Sequence, residues 1–130
     1  MSLFDRLRRE IPPGTVLRTP VRGYPFRIKY EKDKVVFFKN ANEEPFSKIP
    51  RICWDGIPEF LRRNRDWVRI GPNFGPARKA TLQEYLDGFW RQGKTHSSEA
   101  NHVASVLEHL GVVEIDRSRP SKVRLIVNSP

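Results

Sequence analysis

Gly88-Phe-Trp-Arg-Gln-Gly-Lys-Thr95 is the first run in this sequence whose spacing could do chemistry: a glycine, any four residues, then Gly-Lys-Thr. In that pattern a strand feeds a glycine-rich loop whose N–H groups cradle phosphate before a helix begins. Here the preceding Thr81–Asp87 has a helical repeat, and Phe89 and Trp90 continue its apolar face. The loop positions therefore fall inside a helix. Val112-Val-Glu-Ile-Asp116 imitates a magnesium-holding acidic strand, but the strand needed ahead of the loop is missing, and the match is read as coincidence.

The other reactive side chains are isolated. His102 and His109 lie seven residues apart on one expected helix. That places them about 10.5 Å apart, too far to share a metal. His96 has no companion, and the lone Cys53, in a proline-flanked, strand-like run beside Trp54, reads as a small buried hydrophobe. Glu31 and Asp33 belong to a polar turn and would hold a nuclease's metal only if further carboxylates converged on them. No catalytic set, metal site or cofactor is implied.

Charge is the stronger signal. Lys and Arg number 24 against 15 Asp and Glu, net +9, with a pI near 10.2. Such a balance draws polyanions, nucleic acid above all. Residues 1–76 carry 16 basic and 9 acidic side chains, net +7; residues 77–130 carry 8 and 6, net +2. Arg62, Arg63, Arg65 and Arg69 form the densest basic cluster, divided in expectation between phosphate contact and a solvated helix face. Phe37 and Phe38 are adjacent in an expected strand, so their rings point to opposite faces; one could stack on an unpaired base, but packing of both between a sheet and a covering helix is the favoured expectation.

These residues need elements to position them. One cysteine excludes a disulfide framework, and no apolar run approaches the roughly 20 residues that span a bilayer. With no secretory signal at the N-terminus, the expected location is cytoplasmic and no membrane partner is expected. Ile70-Gly-Pro-Asn-Phe-Gly-Pro76 opposes helix and strand, dividing the chain into a basic β-rich module over 1–69, a Gly/Pro linker over 70–79 and a domain over 80–130.

In the first part, Leu3, Phe4 and Leu7 mark a short helix ended by Ile11-Pro-Pro-Gly14. Tyr24–Tyr30 alternates as a half-buried strand, Glu31–Lys34 is a turn, Val35–Phe38 returns, and Thr15–Thr19 offers a third strand. A helix is expected near Ile57, with Pro58 in its first turn. In the second part, Thr81-Leu-Gln-Glu84 is a capping box for a helix over 81–92. A second helix follows over 99–110, capped by Ser98 and stopped by Gly111. Strands at Val112–Ile115 and Lys122–Val127 flank a loop at Asp116–Ser121. The expected class is α+β.

Helix, turn, helix, then a hairpin with a basic tip resembles a winged-helix domain. The residues that carry the likeness are Ala100–Ile115, followed by Arg117, Arg119 and Arg124, and it covers residues 80–127. The resemblance implies binding to duplex DNA, favoured over RNA, with the second helix in the major groove and the wing on the backbone. It would bring Asn101, His102 and Ser105 to base edges, and Arg117, Arg119, Lys122 and Arg124 to phosphates, beside the Arg62–Arg69 cluster. The second helix carries Glu99 and Glu108 but no Lys or Arg. The same fold also serves as a docking or dimerisation module, so a protein partner or homodimer is the second reading. A small nucleotide-binding or nuclease-like enzyme is the third.

Overall fold

The computed structural model describes residues 2–39, 45–64, 66–71, 81–88 and 99–126. The chain opens with helix α1 (Leu3–Glu10), capped by Ser2, whose hydroxyl accepts from the Asp5 N–H at 3.2 Å. Strands β1 (Val16–Arg18), β2 (Pro25–Glu31), β3 (Lys34–Lys39) and β4 (Pro45–Pro50) follow as an antiparallel meander in sequential order. The period-two pattern governs which side is buried: Phe26, Ile28, Val35, Phe37 and Ile49 face one side and are at most 1% exposed. An irregularity between Phe37 and Phe38 opposes Phe38 to Pro45, and both Phe46 and Ser47 then turn toward the core.

Helix α2 (Arg51–Arg63) begins six residues before Ile57, where the sequence pattern places its start. Cys53 and Trp54 are therefore helical and not part of a strand, and Pro58 lies inside the helix rather than in its first turn. Tertiary burial explains the override: Cys53, Trp54, Ile57 and Leu61 form one buried stripe against the sheet. Strand β4 has no clear alternation to mark it in the sequence.

Beyond α2 come β5 (Val68–Arg69), α3 (Leu82–Asp87), α4 (Glu99–His109), β6 (Val113–Asp116) and β7 (Lys122–Leu125). Thr81 caps α3 by accepting from the Glu84 N–H at 3.1 Å, the hydroxyl half of the expected capping box. Gly88 closes α3 with right-handed helical backbone, φ −61° and ψ −17°. The rest of the phosphate-loop match, with Lys94, His96 and Ser98, lies outside the described residues. Gly111 ends α4 at φ +74°, donating to the Glu108 carbonyl at 3.0 Å, while the Val112 N–H reaches Leu107 at 2.9 Å. This pair of bonds needs a left-handed residue that glycine supplies without steric cost.

The second sheet has the order β5-β7-β6. Val68 pairs with Val123, so residues that the sequence places in the basic module are laid against the hairpin. Ile70, assigned to the linker, is 0% exposed; its N–H donates to Ser121 and its carbonyl accepts from Gln83. One apolar cluster runs from Leu3 through the sheet and α2 to Val123. The architecture is α+β, a four-stranded antiparallel sheet with four described helices and a smaller second sheet.

Candidate nucleic-acid interface

Most of the arginines singled out in the sequence are already engaged. Arg62 and Arg63 share one carboxylate, Glu59, at 2.5 and 3.2 Å, and those bonds hold its carboxyl below the usual range. Arg117 grips Glu108 through two bonds of 2.6 and 2.9 Å, and its Nε donates to the Pro20 carbonyl at 2.9 Å. Arg124 is paired with Glu114 and lies over the Trp67 ring at 4.5 Å. Arg69 is exposed on β5 opposite Lys122, and Arg65 lies outside the described residues. Lys122 helps to lower the Asp116 carboxyl, after the larger effect of the Ser118 hydrogen bonds.

Helix α4 is placed differently from the helix that the winged-helix resemblance would put in a groove. Eight of its 11 residues are buried, so it has no broad face left for DNA. It packs against α3, β1 and β6. Ser105 is 8% exposed and donates to the Arg18 carbonyl at 2.7 Å. His102 sits among Phe26, Phe46 and Phe37, with ring centres 4.5, 4.7 and 5.8 Å away. Two of the three side chains expected on base edges, His102 and Ser105, are therefore packed on the sheet. The apolar side chains of α4, Ala100, Val103, Ala104, Val106 and Leu107, join the common core, and its row Glu99, His102 and Ser105 is turned to the sheet, where it meets Ser47, Phe26 and Arg18.

Where α4 begins, the structure opens into a cleft of about 480 Å³. Its walls are the 19–24 turn (Thr19, Val21, Arg22, Tyr24), the first turn of α4 (Asn101, His102) and the wing (Ser118, Arg119, Ser121). The turn is closed on Thr19: its carbonyl accepts from Gly23, its N–H donates to Tyr24, and its hydroxyl accepts from the Tyr24 N–H, each at 3.0 Å. Gly23, at φ +69°, takes the left-handed backbone that this reversal requires. Tyr24 is 59% exposed and Val21 48%, so an aromatic and an apolar side chain stand in solvent at the cleft mouth. Among the described residues, neither Arg22 nor Arg119 lies in an ion pair. Arg117, bonded to Pro20 and Glu108, fastens the wing to the 19–24 turn and to the far end of α4.

Three of the residues expected from sequence, Asn101, His102 and Arg119, thus meet in one place. Arg22 and Tyr24 join them without having been marked by the sequence pattern. Their signal is a Pro20…Gly23 turn that holds an aromatic beside an arginine, and such loops carry binding residues more often than core elements do.

Among the described residues, no three His, Cys, Asp or Glu side chains come together as a metal ion would need. Glu31 is spent on Lys48 at 3.1 Å. No described helix is long and apolar enough to cross a membrane. No family model, curated protein or solved structure matches the chain.

Cys53 is 1% exposed, and burial, with a smaller push from Glu99, raises its thiol from 9.0 to about 12. The folded protein should react with a disulfide reagent at about pH 8 far more slowly than the unfolded chain. Stability should also fall in alkali. The unfolded thiol ionises near 9.0 and the folded one near 12, so its contribution is complete below that window and lost as pH rises through it. Tyr30, raised by burial from 10.0 to about 12, adds to the loss above pH 10.0. Urea titrations at a series of pH values check this; constant stability across the window would contradict it.

Proposed function

We propose that this chain binds nucleic acid without doing chemistry on it, and that the cleft between the 19–24 turn, α4 and the wing is the binding surface. One observation carries the reading. Arg22 and Arg119 stand on two different walls of the cleft, unneutralised by any described carboxylate, with exposed Tyr24 and half-buried Asn101 beside them. Two such cations favour phosphate, an exposed ring favours a base, and the amide of Asn101 adds hydrogen bonding to a base edge. The volume is that of a site for one nucleotide-sized group. The net charge of +9 supplies long-range attraction for the rest of a polyanion.

The order α2, β5, α3, α4, β6, β7, with β7 between its two neighbours, supports the winged-helix reading and extends it back to α2. In this version α4 is a core helix. The turn and the wing meet the nucleic acid in its place, and duplex recognition through His102 and Ser105 is given up because both are buried.

The test is a pair of salt titrations with fluorescence-labelled oligonucleotides. Replacing Arg22 and Arg119 with glutamine should weaken binding and flatten the dependence on salt by about 0.7–0.9 for each phosphate left unneutralised. Glutamine at Arg62 and Arg63, which share Glu59, should cost less. Unchanged binding in the Arg22/Arg119 variant would remove the cleft from the interface. A wild-type chain that binds neither DNA nor RNA at low salt would end the proposal.

A further inference from the structure

The cleft leaves the outer face of the four-stranded sheet unexplained. The pairing register puts Val16, Arg27, Phe38 and Pro45 in one row, and Lys29, Val36 and Lys48 in the next. Arg18 with Pro25, and Glu31 with Lys34 and Pro50, form the rows at either end. The described helices lie on the other side. Tyr30 donates to the carbonyls of Leu7 in α1 and of Ile11 just after it, Trp54 of α2 meets Phe37, and His102 of α4 meets Phe26. Among the described residues, the outer rows carry Arg18, Lys29, Lys34 and Lys48 beside the engaged Arg27, with one carboxylate, Glu31, which Lys48 holds.

Phe38 sits at the centre of these charges. It is half-buried, with the Arg27 guanidinium 5.2 Å and the Lys29 ammonium 5.4 Å from its ring centre. A planar guanidinium over an aromatic ring is a surface on which a nucleobase can continue the stack. The Arg18–Pro25 row borders the 19–24 turn, so this face runs into the wall of the cleft that bears Arg22 and Tyr24. Two aromatic surfaces, Phe38 and Tyr24, are thereby joined by a border of cations. A duplex hides the faces of its bases, whereas an unpaired strand offers them in succession to such platforms.

We infer that the outer sheet face is a stacking platform for single-stranded nucleic acid, continuous with the cleft, and that the chain prefers an unpaired strand to a duplex. This rests on the nucleic-acid reading of the cleft and goes beyond it in naming the ligand's strandedness and a second surface. The phosphates would run along Arg18, Lys29 and Lys34, and one base would stack at Phe38.

The experiment uses the full chain with a labelled strand of about 12 nucleotides, within the range that such platforms span. DNA and RNA versions are compared with the duplex of the same sequence at two salt concentrations. The expected result is about ten-fold or tighter binding of at least one single strand over its duplex. Phe38→Leu keeps an apolar side chain over the sheet but removes the π face. It should weaken single-strand binding about five-fold or more and leave duplex binding unchanged. Lys29→Gln with Lys34→Gln, both exposed and safe for folding, should flatten the single-strand salt dependence by about 1.4, or 0.7 for each lysine. Duplex binding as tight as that of both single strands would overturn the inference. So would wild-type single-strand affinity and salt dependence in both sheet variants. If that happens while the Arg22/Arg119 variant still loses affinity, the platform fails and the cleft stands; if no nucleic acid binds, both fail.

Discussion

Replacing Phe37 with alanine should destabilise the protein by about 3–5 kcal/mol, the cost of emptying a fully buried aromatic site. Phe37 is 0% exposed on the central strand β3. It meets Phe26 edge-on at 5.4 Å, Phe46 at 6.1 Å, Trp54 edge-on at 6.3 Å and His102 at 5.8 Å. Each pair adds directional stabilisation to the area buried. The ring is thus the common neighbour of the sheet, α2 and α4, and its removal leaves a void that rigid β-strands cannot close. Domains of ordinary stability hold only about 5–15 kcal/mol, so this variant should approach unfolding. The next residue offers a contrast, because Phe38 faces outward and Phe38→Ala should cost less than half as much. Urea denaturation of both variants provides the comparison. A destabilisation below about 1 kcal/mol for Phe37→Ala would mean that the aromatic cluster is not the joint between sheet and helices.

Ser105→Arg is the sharpest test of where α4 sits. On an exposed recognition helix the change would fall within about 0.5 kcal/mol of neutral and would strengthen attraction to phosphate. Here Ser105 is 8% exposed, and its hydroxyl donates to the Arg18 carbonyl of β1 at 2.7 Å. The longer side chain forgoes that bond, worth about 0.5–1.5 kcal/mol, and adds an overpacking cost of about 1–3 kcal/mol. A total of about 2–4 kcal/mol is expected, together with weaker nucleic-acid binding, because β1 leads directly into the turn that forms the cleft. Stability within about 0.5 kcal/mol of wild type would mean that α4 is exposed and the sheet does not cover it.

Much of the local structure is legible in the residues alone. The β2–β3 hairpin follows from Phe26, Ile28 and Tyr30 alternating with Arg27 and Lys29 ahead of a polar turn. The start of α3 and the stop of α4 follow from Thr81 and Gly111, because caps act within one helical turn. The hairpin of β6 and β7 is also expected, with strand limits shifted by one or two residues. Where local signals are weak, tertiary packing prevails: α2 extends back through Cys53 and Trp54, and the two-residue strand β5 exists only because β7 is beside it.

The amino-acid sequence by itself therefore determined the α+β class, most of the element boundaries and the excess of positive charge, all of which depend on neighbours in the chain. Only the tertiary structure decided which charges are cancelled and which face of α4 is covered. Ser105 meets Arg18 across 87 residues, Arg117 meets Pro20 across 97, and the Arg6 guanidinium reaches the Leu110 carbonyl across 104. Contacts at such separations leave no period in the sequence. They form because the sheet and α4 each carry an apolar surface that water disfavours, and closing those surfaces together buries Ser105 and leaves Arg22, Tyr24 and Arg119 at the rim.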